Sequence, residues 1–424
     1  MDKIWETLTQ PVYIIIYIAV MFVIMIFVIV SVMLNERRFN KMTEQIREDD
    51  KKAKESEEER NQKVEPESRF GMLKEYDEEK KARSPKVFAD VSLSELCEEF
   101  RIFAAGKLGL YYDISVIREF IAGLAVSHIV ILQGMSGTGK TSLAYAFGEF
   151  IENPSTIIPV QPMWKERTDL LGYYNEFTKH FNETLLLQKM YEANGQAEMY
   201  ITILDELNIA RVEYYFAEFL SLLEIPNPES RYLEVVNDKW KNDPEELKDG
   251  RIKLPENMWF IGTANNDDST FAISDKVYDR AMVLNLDRKS EPFQASGSRT
   301  VPISARHFNE LVAAVLKEGD ISSENLERLE KLDEYLIEKF QITFGNRIMR
   351  QIRAYLPVYV ACGGTEIDAL DDILAKKVLR KLETQNAAYI RSEAEELCNC
   401  FESLFGEGQM PRCREYVRRI ARSV

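Results

Sequence analysis

A glycine-rich segment at residues 134–141 has the composition of a loop that binds phosphate. It reads GMSGTGKT, follows the apolar run 129–132 and precedes a helical pattern at residues 142–149. Glycines let the backbone curl so that successive N–H groups face an anion at the positive end of the following helix. In such a loop Lys140 reaches the β and γ phosphates, and the Thr141 hydroxyl ligates Mg²⁺. The predicted phosphate-binding residues are Gly134, Met135, Ser136, Gly137, Thr138, Gly139, Lys140, Thr141 and Ser142.

A second apolar run, residues 200–204, ends in two acids, Asp205 and Glu206. Transfer of a phosphoryl group to water needs such acids on a strand beside the phosphate loop. We predict that Asp205 holds Mg²⁺ and that Glu206 polarises the attacking water. The alternative is a core strand that ends in two solvated carboxylates.

Two further polar residues could act on a transferring phosphate. Asn265 ends the apolar run 259–264, where an amide could orient the attacking water at the carboxyl edge of a sheet. Arg280 is planar and permanently charged, which suits phosphate oxygens and makes it a candidate arginine finger. The alternatives are a turn-forming role for Asn265 and, for Arg280, an ion pair with Asp279 on a solvated helix.

The overall charge argues against nucleic acid as a partner. The net charge is −16, whereas proteins that bind nucleic acid usually carry a broad basic surface. Five cysteines occur without a C-x-x-C pair, which does not favour a zinc site and indicates reduced thiols in a cytosol-like compartment.

Residues 11–34 carry no charge and predict a transmembrane helix. At 1.5 Å per residue the run is about 36 Å long, whereas a cleaved signal peptide would have a shorter apolar region. Lys3 is the only basic residue before the run, whereas many basic residues follow it. We therefore expect residues 1–10 to be an extracytoplasmic stub of a single-pass protein whose bulk is cytoplasmic. The basic residues that follow it are Arg37, Arg38, Lys41, Arg47, Lys51, Lys52 and Lys54.

The rest of the chain divides into three regions. Residues 35–86 are dense in both signs of charge and predict a solvated, partly helical stalk. Residues 87–300 predict an α/β domain with strands at 129–132, 155–160, 200–204 and 259–265 and a hairpin at 231–236 and 251–254. In that domain we also expect an interrupted helix at 169–184 and one amphipathic helix at 212–224. Residues 301–424 have helical patterns throughout and predict a lid, with helices at 305–316, 324–340, 346–361, 366–383 and 387–405. The basic residues at the end of this region predict a solvated helix face.

The four segments that carry these residues resemble the AAA+ ATPases of the MoxR and dynein-related branch and, within it, McrB-like proteins. The segments are GMSGTGKT, ITILDELNIARVEYYFAEFLSLLE, WFIGTANNDDSTFAISDKVYDRA and FGNRIMRQI. The resemblance implies a P-loop parallel sheet with helices on both faces, a helical lid, ATP or GTP with Mg²⁺, and a ring hexamer. It implies that Arg280 completes the site of a neighbouring subunit. It also implies that Arg347 senses nucleotide from the lid, with Arg350 and Arg353 as alternatives.

We therefore expect a membrane-anchored ATPase that remodels a protein partner. One alternative is a GTP-dependent, McrB-like motor subunit of a nucleic-acid defence system. However, a membrane helix and a charged stalk stand here where modification-dependent restriction proteins carry a DNA-reading domain. Another alternative is a nucleotide-binding scaffold or switch with negligible turnover; the pair Glu206 and Asn265 argues against it.

Overall fold

A computed structural model describes residues 22–23, 25–26, 68–80, 86–265, 270–287, 289–295 and 297–422. The chain divides into two units, residues 1–67 and 68–424. In the first unit the four described residues are helical, and the predicted stub, the remainder of the predicted membrane helix and the predicted stalk up to residue 67 lie outside the described residues. Among the described ranges, no helix combines the length and the apolarity that crossing a bilayer requires.

A five-stranded parallel sheet forms the centre of the second unit. The strands of this unit are β1 Ile129–Gly134, β2 Thr156–Pro159, β3 Gly172–Asn175, β4 His180–Glu183, β5 Tyr200–Asp205, β6 Tyr232–Glu234, β7 Arg251–Lys253, β8 Met258–Asn265 and β9 Met282–Asn285. The sheet has the order β2-β5-β8-β1-β9, and its middle strands are buried on both faces, as their unbroken apolar sequences predict. The predicted strands and the hairpin β6–β7 are confirmed, whereas the four-residue strand β9 was missed.

Helices cover both faces of this sheet and make up the C-terminal region. They are α1 Met72–Lys80, α2 Leu93–Leu108, α3 Ile114–Val126, α4 Lys140–Phe150, α5 Thr168–Leu171, α6 Leu185–Asn194, α7 Val212–Tyr215, α8 Ala217–Leu223, α9 Asp275–Tyr278, α10 Ala305–Glu318, α11 Ser323–Phe340, α12 Gly345–Ala361, α13 Glu366–Ile373, α14 Ala387–Phe405 and α15 Pro411–Arg422. Alternate residues of β1 face two different hydrophobic cores. Val130 belongs to the core that includes α2, α3, α4 and the C-terminal helices, and Ile131 belongs to the core that includes α6 to α8. The predicted α/β class, with helices on both faces and a helical C-terminal region, is confirmed.

Two predicted helices are wrong in detail. The segment predicted as an interrupted helix at 169–184 contains only α5, followed by the antiparallel hairpin β3–β4. Gly172 begins that hairpin at φ 97°, where a Cβ atom would lie 1.9 Å from the carbonyl oxygen of Asn182. The predicted helix at 212–224 breaks at Phe216 into α7 and α8, because Phe216 leaves helical geometry with φ −109°.

The end of the predicted stalk belongs to the folded unit. Residues 68–80 were expected to be solvated, but Phe70 and Leu73 are buried in the core. The Arg69 guanidinium is 1% exposed and pairs with Asp238 at 2.7 Å and Asp243 at 2.8 Å. A high density of charged residues therefore does not predict solvent exposure for this segment, since the charge of Arg69 is paired inside the protein.

The C-terminal region is helical, as predicted, with two local differences. The helix predicted at 366–383 is α13, continued by a π-helical turn at Leu374–Val378 and a 3₁₀ turn at Leu379–Thr384. The basic C-terminal helix is not wholly a solvated face, because Arg412 pairs with the buried carboxylates of Glu119 and Asp372.

Candidate nucleotide-binding site

The phosphate loop connects β1 to α4 with the geometry that its glycines predict. Gly134, Gly137 and Gly139 have φ values of 145°, 77° and 91°. A Cβ atom on Gly134 would lie 2.4 Å from the carbonyl oxygen of Leu286, so only glycine fits there. Lys140 begins α4, and its Nζ atom donates to the carbonyl oxygens of Gly134 at 3.1 Å and Met135 at 2.7 Å. The ammonium thus lies within the curl of the loop.

The two predicted Mg²⁺ ligands are in contact. Thr141 Oγ1 donates to Asp205 Oδ1 over 2.8 Å, which joins the start of α4 to the carboxyl end of β5. Hydroxyl and carboxylate oxygens are the donors that Mg²⁺ accepts beside phosphate oxygens and water. This pair therefore fits the ion at the place where the loop would hold phosphate.

A residue that the sequence analysis missed, Thr263, orders both acids. Thr263 Oγ1 donates to Asp205 Oδ1 at 2.8 Å and accepts a hydrogen bond from the backbone N–H of Glu206 at 2.9 Å. Glu206 itself has φ 53°, a left-handed backbone that a non-glycine residue adopts at an energetic cost. The chain leaves β5 sharply at this point, and the Glu206 side chain is exposed at the edge of the sheet.

Parallel pairing brings Asn265 to the same place. Strand β8 lies beside β1, and Asn265 is in register with Gly134, the first glycine of the loop. The Asn265 backbone oxygen accepts hydrogen bonds from Asn208 Nδ2 and Thr270 Oγ1, both 3.0 Å away. The structure therefore gathers Lys140, Thr141, Asp205, Glu206 and Asn265 at the carboxyl edge of one sheet, where open α/β folds bind ligands.

A tyrosine and a polar cavity adjoin the loop. Tyr112 Oη donates to the Gly139 carbonyl oxygen at 3.1 Å, and burial raises the pKa of Tyr112, so the hydroxyl keeps its proton. The cavity measures about 1100 Å³ and is lined by Asp113, Asp287 and Arg412 among others. Leu286, also in its lining, abuts Gly134, so this wall of the cavity lies next to the start of the phosphate loop. No local sequence pattern predicts this role of Tyr112, since its partner Gly139 lies 27 residues further along the chain.

The predicted arginines lie at the other end of the sheet. Arg280 precedes β9, and its carbonyl oxygen accepts a hydrogen bond from Ser127 Oγ at 2.9 Å, just before β1 begins. With about 3.3 Å per residue, the length of β1 separates this point from the phosphate loop by roughly 20 Å. Arg280 and Arg347 both bind Glu224, at 2.9 and 2.6 Å, and Arg347 lies 3.8 Å from Asp279.

This position changes the interpretation of Arg347. The resemblance implies that Arg347 senses nucleotide from the lid, but the structure groups Arg347 with Arg280 through their shared partner Glu224. The two alternatives lie further along α12: Arg353 pairs with Asp320 at 2.8 Å, and Arg350 is exposed.

A phosphate loop before a helix, acids on a nearby strand and a C-terminal helical region define an AAA+ ATPase-type nucleotide-binding domain. Residues 129–281 match the AAA domain of the dynein-related subfamily, and this part of the chain is an AAA+ domain of that branch. Residues 301–424 match a domain of unknown function, DUF8727. No curated protein matches the chain.

Many solved structures are similar to this chain, among them these two. One is a candidate ATPase from Cytophaga hutchinsonii, 14% identical, with a TM-score of 0.47 over 78% of this chain and 98% of that chain. The other is a full-length MCM homologue from Methanopyrus kandleri, 13% identical, with a TM-score of 0.39 over 69% of this chain and 64% of that chain. The finer resemblance to McrB-like proteins stays a prediction.

Proposed function

We propose that this protein is a membrane-anchored AAA+ ATPase that hydrolyses ATP with Mg²⁺ and uses the energy to remodel a protein partner. The observation that carries the proposal is the contact of Thr141 with Asp205 at the mouth of the phosphate loop. It joins the two groups that an Mg²⁺-dependent phosphoryl transfer needs, beside the lysine that would neutralise phosphate.

The side chains of the site divide the work of hydrolysis. Lys140 and the loop N–H groups bind the phosphates, and Thr141 and Asp205 would hold Mg²⁺, which neutralises charge that develops on the phosphate oxygens. Glu206 accepts a proton from the attacking water, and Asn265 orients that water. Thr263 fixes both acids through its hydroxyl. The sugar and base would enter the polar cavity beside Gly134, which could hold adenine or guanine.

A site completed by a second subunit is part of the proposal. The Arg280 backbone lies roughly 20 Å from the phosphate loop of its own chain, by the strand rise, which is beyond the reach of an arginine side chain. Arg347 binds the same carboxylate as Arg280, that of Glu224. In a ring, as the family implies, this edge of one subunit would meet the loop of the next. There the two guanidinium groups would stabilise charge on the transferring phosphoryl group. We propose a hexamer.

Membrane attachment rests on the sequence of residues 11–34 and on the excess of basic residues after it. A protease added to intact cells should leave residues 35–424 uncut, and membranes washed with high salt should retain the chain. Release of the chain by high salt would contradict the anchor, and digestion from outside would contradict the orientation.

The test of the enzyme is a turnover assay of the full chain with ATP and GTP in parallel. Glu206→Gln should bind ATP with unchanged affinity and lower kcat by about 10²- to 10⁴-fold, because the proton acceptor is lost. Glu234→Gln is the matched control and should keep full turnover, because Glu234 is the exposed last residue of β6. A wild-type chain that binds ATP without hydrolysing it would instead support a nucleotide-binding switch. Preferential hydrolysis of GTP would contradict the choice of ATP as the substrate.

A further inference from the structure

The C-terminal region holds the short segment that carries Arg280. This segment comprises α9 and the residues up to Ala281. Lys377, in the π-helical turn, donates through Nζ to the carbonyl oxygen of Tyr278 at 2.7 Å and to that of Ala281. These two carbonyls flank Arg280 on either side. Burial lowers the pKa of Lys377 to about 7, and the amine can donate to both carbonyls whether or not it is charged.

Two more side chains of the C-terminal region hold the same segment. The Arg380 guanidinium lies 3.9 Å above the ring of Tyr278 and binds the Asp275 carboxylate. From α12, Gln351 Nε2 donates to the Asp279 carbonyl oxygen at 3.0 Å. Contacts at both ends and in the middle thus fix a segment whose helix is only four residues long.

The segment is also tied to the end of β1, directly before the phosphate loop of its own chain. Tyr278 Oη donates to Gln133 Oε1 at 2.9 Å, and Gln133 immediately precedes Gly134. Gln133 in turn donates from Nε2 to Asn285 at 2.8 Å. Desolvation raises the pKa of Tyr278, so its hydroxyl remains a donor. The position of the Arg280 segment is therefore set by the C-terminal region on one side and by the end of β1 on the other.

We infer that Lys377 and Arg380 form a clamp that positions Arg280 for hydrolysis at the neighbouring subunit, which makes the region 301–424 part of the hydrolytic machinery. The inference rests on the proposed action of Arg280 across subunits. A long flexible arginine stabilises a transition state only if its backbone is held, since a misplacement of about 1 Å can cost a factor of about 10² in rate.

The adjacent lysine supports this arrangement. Lys376 points away from the clamp and binds Glu119 at 2.7 Å and Asp372 at 2.5 Å, in the wall of the cavity beside the loop. Of these two consecutive lysines, Lys376 thus contacts the wall of the cavity, and Lys377 contacts the segment that carries Arg280. A π-helical turn inserts one extra residue and often lies at a functional site.

The experiment compares Lys377→Met with Arg280→Ala in mixed assemblies of full-length chains. Lys377→Met should lower kcat about 10²-fold without changing the affinity for ATP, because the phosphate loop is intact. Mixed with Glu206→Gln it should regain turnover, since the partner supplies a well-positioned Arg280. Mixed with Arg280→Ala it should regain none. Lys381→Met is the matched control, because Lys381 lies in the next turn and also donates to a backbone carbonyl, that of Thr343 at 3.1 Å, outside the Arg280 segment.

Arg380→Met provides a second variant in case Lys377→Met does not fold, as its melting temperature would reveal. It should fall into the same complementation group as Arg280→Ala, with a smaller loss of kcat. Recovery of turnover with Arg280→Ala, or wild-type turnover of a folded clamp variant, would overturn the clamp alone. If Arg280→Ala and Glu206→Gln do not complement each other, the action across subunits is wrong, and the clamp is overturned with it.

Discussion

Arg280 and Arg347 bind the two oxygens of a single carboxylate, that of Glu224. The Arg280 Nη2 atom lies 2.9 Å from one oxygen and the Arg347 Nη2 atom lies 2.6 Å from the other. One arginine comes from the α/β region and the other from the C-terminal helix α12, so Glu224 joins the two regions. Because a guanidinium group carries five N–H donors, both arginines could bind a phosphate of a neighbouring subunit in addition to Glu224.

This geometry predicts that Arg347→Ala behaves like Arg280→Ala. Alone, each variant should lower kcat about 10³-fold, because charge on the transferring phosphoryl group loses a partner. Turnover of mixed assemblies checks the prediction: Arg347→Ala should recover with Glu206→Gln and should not recover with Arg280→Ala. Arg353→Ala on the same helix is the control, since Arg353 pairs with Asp320, and it should keep its turnover. If Arg347→Ala recovers when mixed with Arg280→Ala, then Arg347 acts on the nucleotide of its own chain.

Thr263→Val should weaken the response to Mg²⁺. The substitution keeps the shape of the side chain but removes the hydroxyl that donates to Asp205 and accepts from the Glu206 N–H. Residues that orient a metal ligand typically contribute about 10- to 100-fold to metal affinity. A titration of ATPase activity with Mg²⁺ should therefore show the half-maximal concentration rise by about tenfold or more.

The neighbouring strand provides the control for this experiment. Thr202 is buried in β5, and its hydroxyl has no hydrogen-bond partner within the described structure. Thr202→Val should therefore leave the Mg²⁺ titration unchanged and should not lower stability, since no hydrogen bond is lost. An equal shift for both variants would mean that Thr263 matters only for packing.

The site was predictable where its residues follow one another along the chain. The phosphate loop and the pair of Asp205 and Glu206 each combine an apolar run with a local polar signal, which is visible in a single sequence. Thr263 was not predictable, because it lies inside an apolar strand and meets Asp205 only through the sheet register. Lys377 was missed for the same reason, since its partners lie nearly a hundred residues away.

The fold shows the same division between local and long-range information. Buried parallel strands and amphipathic helices carry their own periodicity, so most of them were predicted. The hairpin β3–β4 was predicted as a helix, because its aromatic residues fit either period over so short a segment. Segment 68–80 was predicted as solvated stalk, because nothing nearby reveals that Arg69 pairs with Asp238 and Asp243 far along the chain.

Arg69→Ala should destabilise the folded unit by about 3 to 5 kcal/mol. The change leaves the buried carboxylate of Asp243 without its partner and removes the guanidinium that lies 4.6 Å from the ring of Trp240. Urea unfolding of the full chain, followed by far-UV circular dichroism, measures the loss. Arg306→Ala is the control, because the Arg306 side chain is 86% exposed in its pair with Glu310, and it should unfold like wild type. Equal stability of Arg69→Ala and wild type would show that residues 68–80 are not tied to the core.

Acid should destabilise the protein through His128. The imidazole packs against Trp259 with ring centroids 4.9 Å apart and ring planes tilted by 33°, and desolvation lowers the pKa of His128 from 6.5 to about 4. As the pH falls from 6.5 to 4, the unfolded chain takes up the proton first, so stability is lost across this window by up to about 3 kcal/mol. Urea unfolding at several pH values should show a shallower decline for His128→Gln. His180→Gln, in the exposed position of β4, should keep the wild-type slope, and an unchanged slope for His128→Gln would contradict the assignment.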